Sequence, residues 1–281
     1  MAMIIERRKI FYIISLILII PGIASLFLNG LNLGIDFRGG SIVHVKMAAD
    51  VSAPEVREAL VPVGLEQSEV QKNIDNTYFI RTSELDQEQT KALINALETR
   101  FGEVELMSAE SVGATIGREL GLNALMALGI GLVLMLVYIS FRFEWTFGVA
   151  AVLALMHNVL VVVGVFSIFQ WEINSPFIAS ILTVVGFTLN DTIVVFDRVR
   201  ENMRSTKKPD YLTLLNKSIL QVLNRSINTV LTAVMTLVAL LILGGATLKF
   251  FVAAMLIGFV VGAYSSICIA SPLWYEIKKA A

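Results

Sequence analysis

One carboxylate inside a long apolar segment, Asp191, is the residue best placed to do chemistry in this sequence. At a helical rise of 1.5 Å per residue, it lies within the apolar run, about 9 Å before the polar stretch that begins at Asp197. An ionised side chain near the centre of a membrane costs at least about 2.5 kcal/mol, so it is retained only for a function or a specific partner. The position predicts a carboxylate whose protonation or contacts change as the protein works.

Arg225, at the start of the next apolar run, is the expected partner of Asp191. Burial opposes ionisation of a carboxyl group and a nearby arginine favours it, so a carboxylate between the two can switch its protonation. Two interpretations stay open at this point. Asp191 exchanges an ion with its surroundings, or it only pairs with Arg225 and holds two helices together.

Other polar side chains interrupt the apolar runs at defined spacings. Four polar residues follow Arg225 at helical spacings: Asn228, Thr229, Thr232 and Thr236. They predict one polar face of a helix, which is directed toward protein or water. Asn228 and Thr229 are expected to pack or to line water, and Asn190 precedes Asp191 directly. His157 and Asn158 lie near the middle of another run, where the histidine is either a proton relay or a hydrogen-bonded interior group. Gly258 and Gly262 form a GxxxG pair that predicts close helix packing.

Membrane helices must position these residues. The chain of 281 residues is 56% hydrophobic and 16% charged, with a mean hydropathy of +0.75, which excludes an ordinary soluble domain. Six apolar runs could each cross a hydrocarbon core of roughly 30 Å. They are Ile10–Leu28, Leu120–Phe141, Phe147–Phe169, Pro176–Phe196, Ile227–Leu243 and Phe250–Leu273. A cleaved signal peptide is the alternative for the first run, but the run is longer than a usual signal core and no small-residue cleavage site follows it.

Cations between the runs predict the orientation. The connection 197–225 carries most of them and is expected to be a cytoplasmic loop: Arg198, Arg200, Arg204, Lys207, Lys208 and Lys217. The basic residues near both termini agree with this side. We therefore expect an N-terminal tail and first span in 1–31, an extracytoplasmic domain in 32–119, and five further spans in 120–281, with both termini in the cytoplasm.

The outer domain has the periodicity of a small α+β fold. Strands are predicted over Ser41–Met47, Glu69–Ile74, Tyr78–Thr82 and Glu103–Met107, with the middle two joined around Asp75 and Asn76. One helix is predicted to start at the capping stretch Ser52-Ala53-Pro54-Glu55, with Pro54 in its first turn, and to run to about Val63. A second is predicted from Asp86 to about Phe101. The order of strand, helix, two strands, helix and strand is that of a ferredoxin-like fold.

Most enzyme and nucleic-acid functions are excluded by what the sequence lacks. A single cysteine and two histidines argue against a disulfide framework and a metal site. The chain has no GxxxxGK[ST], GxSxG or HExxH pattern, so we expect no catalytic activity and no cofactor. A net charge of −1 gives no basic field for nucleic acid.

Three stretches resemble the SecF family, part of the SecD/SecF group in the RND superfamily. They are Gly34-Ile35-Asp36-Phe37-Arg38-Gly39-Gly40, Asn190-Asp191-Thr192-Ile193-Val194-Val195-Phe196-Asp197-Arg198 and Asn224-Arg225-Ser226-Ile227-Asn228-Thr229. The resemblance covers essentially the whole chain, and the second stretch is the most specific. The first stretch is shared with SecD. We expect Gly39 and Gly40 to allow a tight backbone path into the first strand.

The resemblance implies a role in protein export across the bacterial plasma membrane. The expected partners are SecD, the SecYEG channel, YajC, membrane lipid and translocating preproteins, with the proton or sodium motive force as the energy source. It also implies ion conduction at Asp191 and Arg225 and contact of the outer domain with emerging polypeptide. The further candidates for the ion path are Asn158, Asn190, Asn228 and Thr229. Many family members have an aspartate where this chain has Asn158, which removes a titratable group. A non-conducting scaffold and a half-size RND exporter of small molecules remain the alternatives.

Overall fold

The computed structural model describes residues 4–73, 76–205 and 210–280. Inter-residue contacts divide the chain into two compact units. One contains the residues up to 32 and those from 126 onward, and the other contains residues 33–125. The first is a helical membrane unit, and the second is a small α+β unit.

The membrane unit is built from helices long and apolar enough to cross a bilayer. Six such spans lie within the described residues: α1 (Arg8–Leu28), α5 (Ala114–Arg142), α6 (Trp145–Phe169), α7 (Ser175–Arg204), α8 (Tyr211–Leu243) and a continuous span from α9 (Lys249–Ser265) into α10 (Ser271–Ala280). The most apolar stretches of α6, α7 and α9 are about half buried within the chain (56%, 50% and 56%), whereas those of α1, α5 and α8 are only 17%, 6% and 17% buried. The first group therefore forms the centre of the unit.

The predicted cytoplasmic loop over 197–225 is wrong in its extent. Helix α7 continues to Arg204 and α8 begins at Tyr211, so most of this segment is helical. Asp210 caps α8, accepting hydrogen bonds from the Thr213 hydroxyl at 2.6 Å and the Thr213 amide at 3.3 Å. These bonds hold the pKa of Asp210 below its ordinary value. The first turns of α8 are polar on one side only, with Leu215 and Ile219 fully buried, so a search for continuous apolar runs misses them.

Glycines let α9 lie directly against α7. A methyl group added at Gly258 would overlap the Val184 side chain, and one added at Gly262 would overlap Thr188. The GxxxG pair predicted from sequence thus lies at a helix contact. Beyond Gly262 the helix widens into a π-helical turn, Ser266–Ala270, before α10 begins. Such turns are often found at functional positions because they rotate a few side chains out of register.

The outer unit begins with a short helix, α2 (Ile35–Arg38), which leads into the strands β1 (Gly40–Met47), β2 (Glu69–Lys72), β3 (Thr77–Thr82) and β4 (Val104–Val112). These four strands form an antiparallel sheet with the order β2–β3–β1–β4. Helices α3 (Ala53–Ala59) and α4 (Gln87–Phe101) complete the unit. Together with the six spans, this order confirms the predicted fold class of membrane helices plus a ferredoxin-like unit.

Two strands differ from the sequence prediction. β4 continues to Val112 instead of ending at Met107, because it stays paired with β1 as far as Gly40, past a bulge between His44 and Val45. The residues after Met107 do not alternate between apolar and polar, so the sequence pattern does not indicate that they belong to the strand. β2 ends at Lys72 instead of Ile74. Of the two residues predicted to form the turn, Asp75 lies outside the described residues, and Asn76 has a positive φ of 55°.

Helices α3 and α4 cover one face of the sheet. Val43, Val45 and Met47 alternate along β1 and are almost fully buried against Leu93 and Leu97 of α4. Tyr78 of β3 is also fully buried, and its hydroxyl donates to the Val51 carbonyl at 2.7 Å. The unit therefore has a core of its own.

The opposite face of the sheet carries a histidine stacked on an aromatic ring. His44 and Phe79 have ring centroids 4.1 Å apart and planes inclined by 14°. Burial lowers the pKa of His44 from its ordinary value of 6.5. The folded unit therefore disfavours the protonated ring, so the contribution of neutral His44 to stability is present above pH 6.5 and is lost as the pH falls.

We expect His44 to titrate below pH 6.5 in the intact protein. The measurement is an NMR titration of the full chain labelled with 13C-histidine. The sequence holds only two histidines, so a His157→Gln variant assigns the signals. A midpoint for His44 at or above 6.5 would contradict the effect of burial.

Candidate ion-coupling site

Asp191 is buried within the membrane unit and holds one strong hydrogen bond. Its side chain is 7% exposed, and its Oδ1 accepts a hydrogen bond from the Ser226 hydroxyl of α8 at 2.6 Å. The other oxygen, Oδ2, is buried and has no donor at hydrogen-bonding geometry among the described residues. A buried carboxylate with one unoccupied oxygen is costly unless a proton, a cation or another donor completes it.

Further buried hydroxyl groups lie on α7 and on the π-helical turn in the same part of the membrane unit. The Thr192 hydroxyl donates to the Thr188 carbonyl at 3.0 Å and lies 2.9 Å from the Ser266 hydroxyl of the π-helical turn. Ser266 is also close enough to Asp191 to interact with its carboxylate. One further oxygen in this region, the Thr188 hydroxyl, is buried and has no partner among the described residues. The site is therefore an oxygen-lined position where α7, α8 and the π-helical turn meet.

Arg225 is adjacent to this site but forms no ion pair with Asp191 among the described residues. Its side chain is exposed, whereas the neighbouring Ser226 is buried and makes the contact. Arg225 lines a cleft of about 560 Å³ together with Asp197, Arg198 and Glu201. The static helix-holding pair that the sequence allowed is thus not formed here, although Arg225 is close enough to act on Asp191 electrostatically.

The polar stripe of α8 lies on the outside of the membrane unit. Asn228, Thr229, Thr232 and Thr236 are exposed, and the threonine hydroxyls donate to backbone carbonyls one turn earlier. Asn190 on α7 is exposed as well. Asn190, Asn228 and Thr229 therefore do not join Asp191 in the interior of this chain.

His157 and Asn158 are buried on α6. His157 Nδ1 lies 3.2 Å from Asn158 Oδ1, and the His157 ring centroid is 6.3 Å from that of Tyr264. His157 Nε2 and Asn158 Nδ2 have no partner among the described residues. A hydrogen-bonded interior histidine accounts for Nδ1 only, so both interpretations of His157 stay open.

Sequence reasoning missed the hydroxyl groups at this site. The only available signal for Ser226 was its position in the third motif, directly after Arg225. Neighbouring residues of a helix point in different directions, so an exposed Arg225 leaves Ser226 free to face Asp191. Ser266 gave no signal, since its placement depends on a π-helical turn. Among the described residues, no group of three or more histidine, cysteine, aspartate or glutamate side chains is arranged to hold a metal ion.

The Gly34–Gly40 stretch is part of the outer unit. Gly34 precedes α2, and Asp36 is in the first turn of that helix. Gly39 and Gly40 have φ of 78° and 126°, which side-chain-bearing residues rarely adopt. A Cβ atom at Gly39 would lie 2.7 Å from Ala114 Cα, and one at Gly40 would lie 2.6 Å from the Thr82 carbonyl oxygen. Both glycines are therefore required by the backbone path and by close contacts.

We expect Gly39→Ala to destabilise the outer unit by about 3 kcal/mol, from backbone strain and overlap with α5 together. Gly64→Ala is the matched control, since Gly64 also has a positive φ of 73° but open space around it. The control should cost roughly 1 kcal/mol. Native-state hydrogen exchange of β1 amides in the full chain measures both losses, and equal losses would show that the overlap has no effect.

Family models match most of the chain. A model described as protein export membrane protein SecD/SecF, C-terminal, matches residues 92–280. A second, described as the SecD/SecF GG motif, matches residues 24–51. The two matches include Gly34, Gly39 and Gly40 as well as Asp191 and Arg225.

Some relatives match this chain over nearly their own full length, and in others the matching part is one section of a longer protein. Protein translocase subunit SecF of Sebaldella termitidis is 42% identical over 98% of this chain and 91% of its own. Protein translocase subunit SecDF of Thermus thermophilus is 36% identical over 96% of this chain and 38% of its own. The crystal structure of SecDF from Thermus, described as translocon-associated, superposes with a TM-score of 0.90 at 35% identity, covering 98% of this chain and 38% of that one. The chain belongs to the SecF branch of the SecD/SecF family of protein export membrane proteins.

Proposed function

We propose that this chain is an auxiliary subunit of the Sec preprotein translocase that acts with SecD and uses an ion gradient to drive late stages of translocation. The similarity to SecF subunits along the whole chain supports the translocase role. A relative in which a SecF-like part is fused within a longer SecDF chain supports SecD as the partner. SecYEG, YajC and the preprotein are proposed as the further partners.

The observation that carries the ion-coupling part is the buried, half-satisfied carboxylate of Asp191. Such a group is stable in a membrane only while a proton, a cation or a donor group neutralises its free oxygen. Ser226 holds the first oxygen, and Arg225 on the same turn of α8 faces a cleft. We propose that ion binding at the free oxygen and approach of Arg225 alternate, so that α7 and α8 change their relative position as an ion passes.

The energy available fits a conformational motor. One elementary charge that crosses about 100 mV releases about 2.3 kcal/mol. This energy biases a two-state equilibrium by nearly fiftyfold, since each 1.4 kcal/mol is about a factor of ten. No bond chemistry is needed to account for such work.

The orientation follows from the positive-inside rule. The α7–α8 connection, rich in arginine and lysine, is proposed to face the cytoplasm together with both termini. The outer unit then projects from the bacterial plasma membrane on the far side, where preproteins emerge. Binding of unfolded polypeptide to that unit is part of the proposal and is tested by crosslinking to a stalled precursor.

The decisive experiment measures export in proteoliposomes that contain SecYEG, SecA, a SecD partner and this chain. Precursor protected from protease is measured with an imposed proton gradient, with a protonophore, and with sodium replaced by choline. We expect the stimulation that depends on this chain to vanish when the coupling ion's gradient is removed. Undiminished stimulation without either gradient would instead support the non-conducting scaffold.

A further inference from the structure

A basic pocket lies where α5 ends and α7 passes. The pocket has a volume of about 490 Å³ and is lined by Arg142, Asp197, Arg200, Glu201, Arg204 and Ser205. It belongs to the membrane unit and does not include Asp191. Three arginines from two helices thus meet at one end of the spans.

Two of these arginines are held in place on one aromatic ring. The Cζ atoms of Arg142 and Arg200 lie 5.3 Å and 5.6 Å from the ring centroid of Phe143. Arg200 Nη1 also donates to the Arg142 carbonyl at 3.0 Å, which satisfies a backbone group at the end of α5. Held guanidinium groups lose little further freedom on binding, and their planar donors match the oxygens of a phosphate group.

The acidic residues of the pocket leave a net positive charge. Glu201 is paired with Arg198, at 2.5 Å from its Nη1. Asp197 alone therefore opposes the three lining arginines, which leaves about two positive charges for a ligand. The ligand that this balance fits is an anion.

Exposed apolar side chains lie around the end of α5. Tyr138 and Phe141 on its last turns are 55% and 93% exposed, Trp145 at the start of α6 is 59% exposed, and the most apolar stretch of α5 is only 6% buried in the chain. Aromatic side chains close to arginines at the ends of membrane helices are typical of the region of the lipid headgroups. A ligand that enters from this side brings acyl chains along α5 and an anionic group to the arginines.

We propose that this pocket binds an anionic phospholipid, with its phosphodiester between Arg142, Arg200 and Arg204 and its acyl chains on the exposed face of α5. Soluble phosphate shares the headgroup chemistry but lacks the apolar contacts. The proposal does not depend on ion coupling at Asp191, and its test does not use export.

The test uses the delipidated full chain in detergent and follows its unfolding temperature as phosphatidylglycerol is added. Phosphatidylcholine and inorganic phosphate are the comparison probes. We expect phosphatidylglycerol alone to raise the unfolding temperature with a saturable dependence. An equal rise with phosphatidylcholine would overturn the anionic site, and an equal rise with inorganic phosphate would overturn the lipid.

Matched variants separate the pocket from a general effect of charge. Replacing Arg142, Arg200 and Arg204 together by glutamine should weaken phosphatidylglycerol binding on the order of 100-fold, if each arginine contributes as basic residues at membranes usually do. Replacing the exposed Arg7, Lys9 and Lys217 by glutamine removes the same charge elsewhere and should leave the affinity unchanged. Arg204→Gln alone, at an exposed side chain, should weaken binding about fivefold and guards against misfolding of the triple variant. Equal loss in both triple variants would overturn the proposal.

Discussion

Asp191→Asn is expected to reduce export stimulation to the level measured without the chain, while the protein still inserts and assembles. Asparagine has nearly the same shape and can still accept the hydrogen bond from Ser226, so the helix contact survives. It cannot bind and release a proton, and it is a weaker ligand for a cation. The measurement is precursor export in cells depleted of their own SecF, at equal membrane abundance and equal co-purification with SecD.

Glu119→Gln is the control for this variant. Glu119 lies on another helix, α5, and its side chain is exposed and belongs to neither the cleft nor the pocket described above. The same conversion of a carboxylate to an amide there should leave export nearly unchanged, because an exposed carboxylate needs no compensating ion. Full rescue by the Asp191→Asn variant would show that the buried carboxylate is dispensable and would favour the scaffold.

Tyr78→Ala is expected to lower the free energy of unfolding of the outer unit by about 3–5 kcal/mol. Tyr78 is fully buried, and its hydroxyl both donates to the Val51 carbonyl and accepts from the Val51 amide at 3.0 Å. Truncation leaves a cavity under the sheet and two backbone groups without their partner. Native-state hydrogen exchange of β1 and β3 amides in the full chain measures this loss directly.

Tyr78→Phe separates the contribution of core packing from that of the hydrogen bonds to Val51. Phenylalanine keeps the ring in the core and removes only the hydroxyl, so we expect a loss of about 1–2 kcal/mol. A loss as large as that of Tyr78→Ala would mean that the bonds to Val51, rather than core packing, stabilise this unit.

The spans and the sheet could be predicted because their signals are periodic and local. Long apolar runs mark the membrane helices, and the alternation of Val43, Val45 and Met47 marks a strand with one buried face. The start of α8 could not be found in the same way, since its apolar residues, such as Leu215 and Ile219, alternate with polar ones around the helix and form no continuous run. Helix ends outside the hydrocarbon core obey the rules for soluble helices, not the criterion of continuous apolar sequence.

The candidate site could be predicted only in part. A carboxylate in an apolar run is conspicuous, so Asp191 was identified from the sequence alone. Its surroundings depend on which face of α8 turns inward, and Ser226 occupies that face while Arg225 does not. Ser266 reaches the site through a π-helical turn, which has no sequence pattern that would have indicated it. Long-range packing therefore decides which polar groups meet the carboxylate.

The exposed polar stripe of α8 has a consequence for the supply of this protein in the cell. A lone copy in the membrane exposes Asn228, Thr232 and Thr236 on a span that is only 17% buried in its own chain. An amide left against lipid is unfavourable, so we expect a second membrane chain that covers the stripe to lower the free energy of both. Copies made in excess of that chain are then the least stable ones and the first to be degraded. We expect balanced synthesis of this chain and of the chain that covers its stripe to remove this loss.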